Sequence, residues 1–107
     1  MRRASEPFWY NGNMLKIIDN DIMRSGQKVG WIEGNDIRAR DGRKLGYFVG
    51  NFVYGAEGHK QAYIEGNYLH SESSSTTKVS LDKINESVEG GMLPEIGKCA
   101  VYMLIGV

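Results

Sequence analysis

One segment in the middle of the chain sets its architecture: Asp41-Gly42-Arg43-Lys44-Leu45-Gly46-Tyr47-Phe48-Val49-Gly50-Asn51-Phe52-Val53-Tyr54. Its main features recur sixteen residues earlier and sixteen residues later. The repeated sets are Gly26/Gly42/Gly58, Lys28/Lys44/Lys60, Trp31/Tyr47/Tyr63 and Gly34-Asn35/Gly50-Asn51/Gly66-Asn67. A short fixed period is typical of supersecondary units that bury their apolar face by packing on their neighbours.

Each Gly-Asn pair predicts a two-residue β-hairpin turn, because both residues tolerate the positive φ that such turns require. A degenerate unit precedes the regular ones, with Asn11-Gly12 and Asn20-Asp21 at its turn positions. The prediction is therefore a mainly β fold (β-rich α+β), in which four hairpins of 14–16 residues form one meander. For the regular units we expect strands near 27–33, 36–40, 43–49, 52–56, 59–65 and 68–72.

A two-residue turn fixes the cross-strand register, and the register sorts the side chains onto two faces. One face predicts the core, because bulky aliphatic pairs lie there beside a layer of small residues. The core pairs are Ile18/Met23, Ile32/Ile37, Phe48/Val53 and Ile64/Leu69, with Gly30/Ala39, Gly46/Gly55 and Ala62/Ser71 next to them. The opposite face carries Ile17/Arg24, Trp31/Arg38, Tyr47/Tyr54 and Tyr63/His70.

The third hairpin differs from the others on this second face, because all of its side chains there are apolar or aromatic. They are Leu45, Tyr47, Val49, Phe52, Tyr54 and Ala56. Large exposed apolar patches mark interaction sites on soluble proteins. We therefore expect either the carboxy-terminal segment or another subunit to cover this patch.

The chain after the repeats predicts a helix and a buried tail that pack on the same domain. Residues 80–88 have amphipathic spacing, with Ser80 as the N-cap and Gly90 at the end of the helix. The tail over 95–106 leaves two alternatives. Its continuous apolar run from Cys99 to Ile105 suits a buried strand, while the spacing of its apolar residues also suits a helix.

Length and composition bound the organisation and the partners. The 107 residues predict one domain with a modest core, in which residues 1–8 are a polar lead-in, 9–72 the hairpin repeats and 73–107 the covering segment. Thirteen acidic and thirteen basic residues balance, so we expect no nucleic-acid partner. The single cysteine excludes an internal disulfide and favours a cytoplasmic location. The apolar runs are too short for a membrane span.

The segment quoted above resembles the bacterial four-fold β-flower proteins, through a Gly-aromatic-apolar-x-Gly-Asn pattern that recurs three times. In that family four hairpins are arranged like petals around a pseudo-fourfold axis. The resemblance covers residues 9–72 and implies a fold without an established activity, so it implies no catalytic residue. The Gly- and Tyr-rich hairpins are also similar to MORN repeats, which have a longer period and a Tyr-Glu-Gly pattern that this chain matches in part.

Aromatic and cationic residues of the second face form the candidate ligand or interface surface. They are Arg24, Trp31, Arg38, Tyr47, Phe52, Tyr54, Tyr63 and His70. Such side chains stack on a peptide or small-molecule ligand, and they serve equally to cover a sheet or a subunit interface. We expect a non-catalytic binding or assembly module that forms a homodimer or larger oligomer, with a peptide or small molecule as the second candidate partner.

Two rival functions follow from the same residues. A small hydrolase-like enzyme would use His70 with Glu33 or Glu65 as the acid. A peripheral membrane-associated repeat protein would use the aromatic face. Cys99 lies in an apolar run, where a thiol is a poor nucleophile. No cofactor is predicted, and no metal site either, because Val49 interrupts the ring of acids that the repeat would otherwise build.

Overall fold

The structure is a computed structural model that describes residues 14–73 and 77–106, so the predicted lead-in and the Asn11-Gly12 turn lie outside the described residues. Within the described residues, the fold is a single ten-stranded sheet with two helices. The strands are β1 (Leu15–Ile18), β2 (Asp21–Arg24), β3 (Gln27–Glu33), β4 (Asp36–Ala39), β5 (Lys44–Val49), β6 (Phe52–Gly55), β7 (Lys60–Glu65), β8 (Tyr68–Ser71), β9 (Lys78–Ser80) and β10 (Val88–Gly90). The helices are α1 (Leu81–Ser87) and α2 (Glu95–Ile105).

Strands β1 to β8 are four antiparallel hairpins in one meander, which confirms the predicted fold class. The order across the sheet is β10-β1-β2-β3-β4-β5-β6-β7-β8-β9. In the second, third and fourth hairpins the Gly-Asn turns set the predicted register. The confirmed pairs are Ile32/Ile37, Phe48/Val53 and Ile64/Leu69.

The first hairpin has a different register from the predicted one. Its turn is Asp19-Asn20, so Ile17 pairs with Ile22 and Ile18 pairs with Asp21. The predicted pair of Ile18 with Met23 is therefore wrong. Ile17 and Ile22 are buried in the core, whereas the Ile18 side chain is 51% exposed.

The register of the first hairpin differs from the prediction because the loop between the first two hairpins is one residue shorter than the later loops. Met23 pairs with Lys28 across four intervening residues, whereas the equivalent pair Arg38 and Lys44 has five residues between its members. The first hairpin therefore precedes the second by fifteen residues rather than sixteen. A strict sixteen-residue alignment turns each of its side chains to the wrong face.

A β-bulge recurs once in each of the three later repeats. The register between neighbouring hairpins skips Val29 in β3, Leu45 in β5 and Gln61 in β7. The extra residue changes which side of the strand the following side chains occupy. Val29 and Leu45 therefore pack against the core, and the predicted place of Leu45 on the exposed face is wrong.

The carboxy-terminal tail is a helix, α2, which packs on the inner face of the sheet against β4, β5 and β6. The layer of small residues makes room for it. A Cβ atom on Gly46 would lie 2.7 Å from a methyl carbon of Leu104, and one on Gly30 would lie 3.1 Å from the Cδ1 atom of Ile105. The predicted burial of the tail is confirmed, since Ile96, Cys99, Ala100 and Val101 are core residues. Among the described residues, no helix is long and apolar enough to span a bilayer.

Helix α1 joins the two ends of the sheet. Its N-cap is Ser80, as predicted, and the Ser80 hydroxyl accepts a hydrogen bond from the Lys83 amide at 3.2 Å. The helix ends at Ser87 rather than near Gly90, because Val88 pairs in parallel with Leu15 and starts β10.

The short bridge requires the sheet to curl. Ten strands laid flat would span about 43 Å, because neighbouring strands lie about 4.8 Å apart. The seven residues of α1 span only about 10 Å. The sheet therefore curls with its inner face around α2, and its outer face is convex.

Candidate binding surface

Seven of the eight candidate residues lie on the outer face, which is the side of the sheet away from α2. Three cross-strand pairs follow one another along the sheet: Trp31/Arg38, Tyr47/Tyr54 and Tyr63/His70. Phe52 lies beside them, paired with Val49 on one side and Tyr63 on the other. The candidate residues of the second, third and fourth hairpins thus form one aromatic row.

Two cross-strand pairs of this row stack ring on ring. Tyr47 and Tyr54 are nearly parallel, with centroids 4.9 Å apart and an interplanar angle of 6°. Tyr63 and His70 stack at 5.2 Å and 15°. Cross-strand aromatic pairs stabilise a sheet by about 0.2–1 kcal/mol each. Because of this stacking, one face of each of these four rings is in contact with its cross-strand partner.

Four lysines lie over aromatic rings of the outer face. The ammonium groups lie 4.0–5.0 Å from the ring centroids, within the range of cation–π attraction. The pairs are Lys28 over Trp31, Lys44 over Tyr47, Lys60 over Phe52 and Lys78 over Tyr68. We refer to these four lysines as the basic row.

The bulges explain why Lys28, Lys44 and Lys60 reach the rings, whereas Lys78 lies on β9, which pairs with β8 without a bulge. In a regular strand, residues three apart point to opposite faces, so Lys28 would lie on the inner face when Trp31 is outside. The bulge at Val29 adds one residue and brings both side chains to the outer face. The repeated lysine was visible in the sequence, but without the bulge its position gave no contact with the aromatic residue.

Acidic residues occupy the opposite end of the outer face, next to the hairpin turns. This acidic row consists of Asp21, Glu33, Asp36 and Glu65. Three of these acids are ion-paired within the chain, since Lys28 lies 3.1 Å from Asp21, Arg38 lies 3.3 Å from Glu33 and Lys44 lies 3.4 Å from Asp36. The acids thus lie near the turns and the lysines begin at the opposite ends of the strands, but the ammonium groups of Lys28 and Lys44 extend to Asp21 and Asp36.

The third hairpin interrupts the acidic row with Val49 and Phe52. The Val49 side chain is 50% exposed. The sequence left two candidates to cover this patch, and α2 is not the cover because it packs on the inner face. Among the described residues, the apolar patch of the third hairpin has no covering element.

Arg24 is the candidate residue that does not belong to this surface. It pairs with Leu15, and its guanidinium donates a hydrogen bond to the carbonyl oxygen of Gly106 at the end of α2. It occupies the position that small residues hold in the other hairpins, because the first hairpin is offset by fifteen residues. Its role is to cap the exposed carbonyls at the helix C-terminus, where cations are favourable.

The structure separates one of the two acids of the hydrolase prediction from His70 and leaves the other near it. Glu33 lies on β3 and His70 on β8, five strands apart, or about 24 Å along the sheet. Glu65 pairs with Tyr68 and is therefore a diagonal cross-strand neighbour of His70, while the Tyr63 ring stacks on one face of the His70 imidazole. In the described part of the chain, no three His, Cys, Asp or Glu side chains are grouped to hold a metal ion.

The Cys99 thiol is fully buried in α2. Burial, with a smaller contribution from the Glu95 carboxylate, raises the pKa of this thiol to about 12. The reactive thiolate is therefore disfavoured at neutral pH.

Comparison of the chain with family models, curated proteins and solved structures gave no match.

Proposed function

We propose that this protein is a non-catalytic assembly module whose partner is a second copy of the same chain, bound through the outer face. The observation that carries the proposal is the patch of the third hairpin that no described helix or strand covers, where Val49 is half exposed beside the stacked tyrosines and Phe52, with lysine ammonium groups over Tyr47 and Phe52. An apolar centre with a charged rim is the usual anatomy of a protein–protein interface. Here the acidic and basic rows supply the rim.

The two charged rows favour one alignment of the copies. Consider a two-fold axis that lies between the two outer faces and runs perpendicular to the strands. It places the acidic row of each copy opposite the basic row of the other copy. Such a contact is isologous and pairs opposite charges at both ends. An axis parallel to the strands would oppose like charges.

The curvature of the sheet limits the strength of this contact. Two convex faces touch over a small area, which centres on the third hairpin. Interfaces that bury less than about 1,200 Å² are typically weak and transient. We therefore expect a reversible dimer, with a dissociation constant in roughly the micromolar to millimolar range.

The first test measures the solution mass by sedimentation over a wide range of protein concentration. Wild type is expected to pass from monomer to dimer as the concentration rises, and Phe52→Lys to stay monomeric with an unchanged circular dichroism spectrum. Met92→Lys is the matched control, because Met92 is 98% exposed and lies outside the third hairpin. A wild-type monomer at all concentrations, or equal effects of the two variants, would reject the proposal.

A charge exchange tests the alignment separately. Glu65 and Lys60 lie at opposite ends of β7, so the proposed axis brings each close to the other residue in the partner copy. Glu65→Lys and Lys60→Glu should each weaken the dimer, and the double variant should recover most of the loss. If the double variant is as weak as the sum of the single ones, the antiparallel alignment is wrong even though the dimer stands.

A further inference from the structure

We infer that a cavity over the fourth hairpin is a binding site for a small, uncharged apolar molecule. The cavity lies on the inner side of the sheet, between the hairpin and α2, so the inference does not depend on the proposed dimer. Its volume is about 120 Å³. Its surface is almost wholly apolar, and it is lined by Ala62, Leu69, Ser71, Thr77, Lys78, Val79, Tyr102 and Met103.

The other hairpins provide an internal comparison. Each of the three later hairpins has a pair of small residues on its inner face. In the second hairpin, Ile105 fills the space beside Gly30, and in the third hairpin, Leu104 fills the space beside Gly46. Successive residues of a helix point about 100° apart, so the last turn of α2 directs a different side chain to each hairpin. The fourth hairpin receives Met103 together with Tyr102, and there a cavity remains over the pair Ala62 and Ser71.

The lining determines the class of ligand. The Lys78 ammonium is turned to the outer face, 4.4 Å from the centroid of the Tyr68 ring, so it does not supply a charge to the cavity. The Ser71 hydroxyl is engaged with the Ser73 hydroxyl at 2.9 Å. An enclosed apolar cavity of about 150 Å³ in another protein stays dry and binds benzene or xenon, and the present cavity is similar in size but opens to solvent on one side. A monocyclic aromatic or a short aliphatic molecule therefore matches this cavity in size and polarity.

Titration of the full chain with benzene tests the inference. We expect saturable NMR shifts of the methyl groups of Ala62, Leu69, Val79 and Met103, with small shifts elsewhere. Because benzene binds the folded chain, a concentration of ten times its dissociation constant should raise the folded-to-unfolded ratio about tenfold. That change corresponds to a rise of several degrees in the melting temperature. Absence of saturable shifts would overturn the inference.

Variants that fill and enlarge the cavity localise the site. Ala62→Leu fills the cavity and should weaken benzene binding at least about tenfold, and Ser71→Val is the alternative filling variant if Ala62→Leu does not fold. Val79→Ala enlarges the cavity and should preserve or strengthen binding. Val49→Ala, the same change on the outer face, should have no effect. Unchanged binding in a folded filling variant would assign benzene to another place and reject the cavity as the site.

The same titration on Phe52→Lys separates this inference from the proposed function. Benzene should bind that variant as it binds wild type, whether or not wild type forms a dimer. Loss of benzene binding in Phe52→Lys would contradict the assignment to the inner cavity.

Discussion

Asp19 holds the turn of the first hairpin with a φ of 57°, where Gly34, Gly50 and Gly66 hold the turns of the other three with φ between 60° and 66°. This left-handed region is unfavourable for a residue with a Cβ atom, although aspartate tolerates it better than most. Of the four hairpin turns, the first therefore has the least favourable backbone conformation for the residue that occupies it.

Asp19→Gly should relieve this strain and raise the free energy of unfolding by about 0.5–1 kcal/mol. Urea denaturation followed by circular dichroism measures the change. Gly50→Asp is the reciprocal control and should lower the free energy of unfolding, since its φ is also positive. A loss of stability in Asp19→Gly would mean that the carboxylate makes a contact worth more than the strain.

Cys99 predicts a pH dependence of stability. Burial raises the pKa of the thiol from 9.0 to about 12, so above pH 9 the unfolded chain loses a proton that the folded chain retains. The unfolded state then binds fewer protons, and the contribution of Cys99 to stability falls as the pH rises through this window. The dependence should be less steep in Cys99→Ala, measured by urea denaturation between pH 8 and about 11. Equal slopes for the two proteins would contradict the burial of the thiol.

At the scale of the elements, the closest fit is between the third hairpin and α2. A Cβ atom on Gly46 would lie 2.2 Å from the Tyr54 carbonyl oxygen and 2.7 Å from a Leu104 methyl carbon, and the first of these is backbone that cannot move aside cheaply. Its cross-strand partner Gly55 is less restricted. There the nearest atom would be the Gln61 amide nitrogen at 3.0 Å, which belongs to a flexible side chain.

Gly46→Ala should therefore lower the free energy of unfolding by about 1–3 kcal/mol. The added methyl group would overpack against both the Tyr54 carbonyl of the neighbouring strand and the Leu104 side chain of α2. Gly55→Ala adds the same methyl group on the neighbouring strand and should be close to neutral. Both are measured by urea denaturation, and similar effects of the two substitutions would contradict the proposed difference in packing.

The elements that the sequence predicted are those with a local signal. The Gly-Asn turns fix three hairpins, and Ser80 marks the start of α1. The first hairpin was misplaced because a single missing loop residue leaves no local mark. Strands β9 and β10 have three residues each, too few for an alternation pattern, and they form because the edges of the sheet offer unpaired backbone groups.

The candidate surface was predicted in part for the same reason. Alternation from the Gly-Asn turns placed Trp31, Tyr47 and Tyr63 together, because the register near a turn is secure. Lys28, Lys44 and Lys60 were not assigned to this surface because the bulges between hairpins reverse the faces beyond them, and Lys78 was not assigned because β9 has only three residues. Arg24 was misplaced because it belongs to the hairpin with the shortened loop.

At the scale of the whole molecule, α1 holds together the two ends of the sheet. Its Leu81 and Ile84 side chains are buried, and the helix contacts β9, β10 and α2. The two terminal strands lie farthest apart in the strand order, yet they depend on the same seven-residue helix. Their stabilities should therefore be coupled.

Ile84→Ala tests this coupling, because Ile84 is fully buried. The substitution should lower the free energy of unfolding by about 2–5 kcal/mol. Hydrogen exchange of the β9 and β10 amides should accelerate together, by more than that of the central strands. Val49→Ala, on the exposed outer face, is the control and should leave exchange at both ends unchanged. Acceleration at one end alone would show that the two ends unfold independently.

The bridge formed by α1 also fixes the number of hairpins. In repeat proteins that stack in a line, units can be gained or lost with little penalty, because each unit contacts only its neighbours. Here a duplicated sixteen-residue unit would insert two strands, about 10 Å of sheet, between ends that one short helix must join. The individual hairpins are free to diverge in sequence, as the first one has, but their copy number is not free to change unless the bridge lengthens with it.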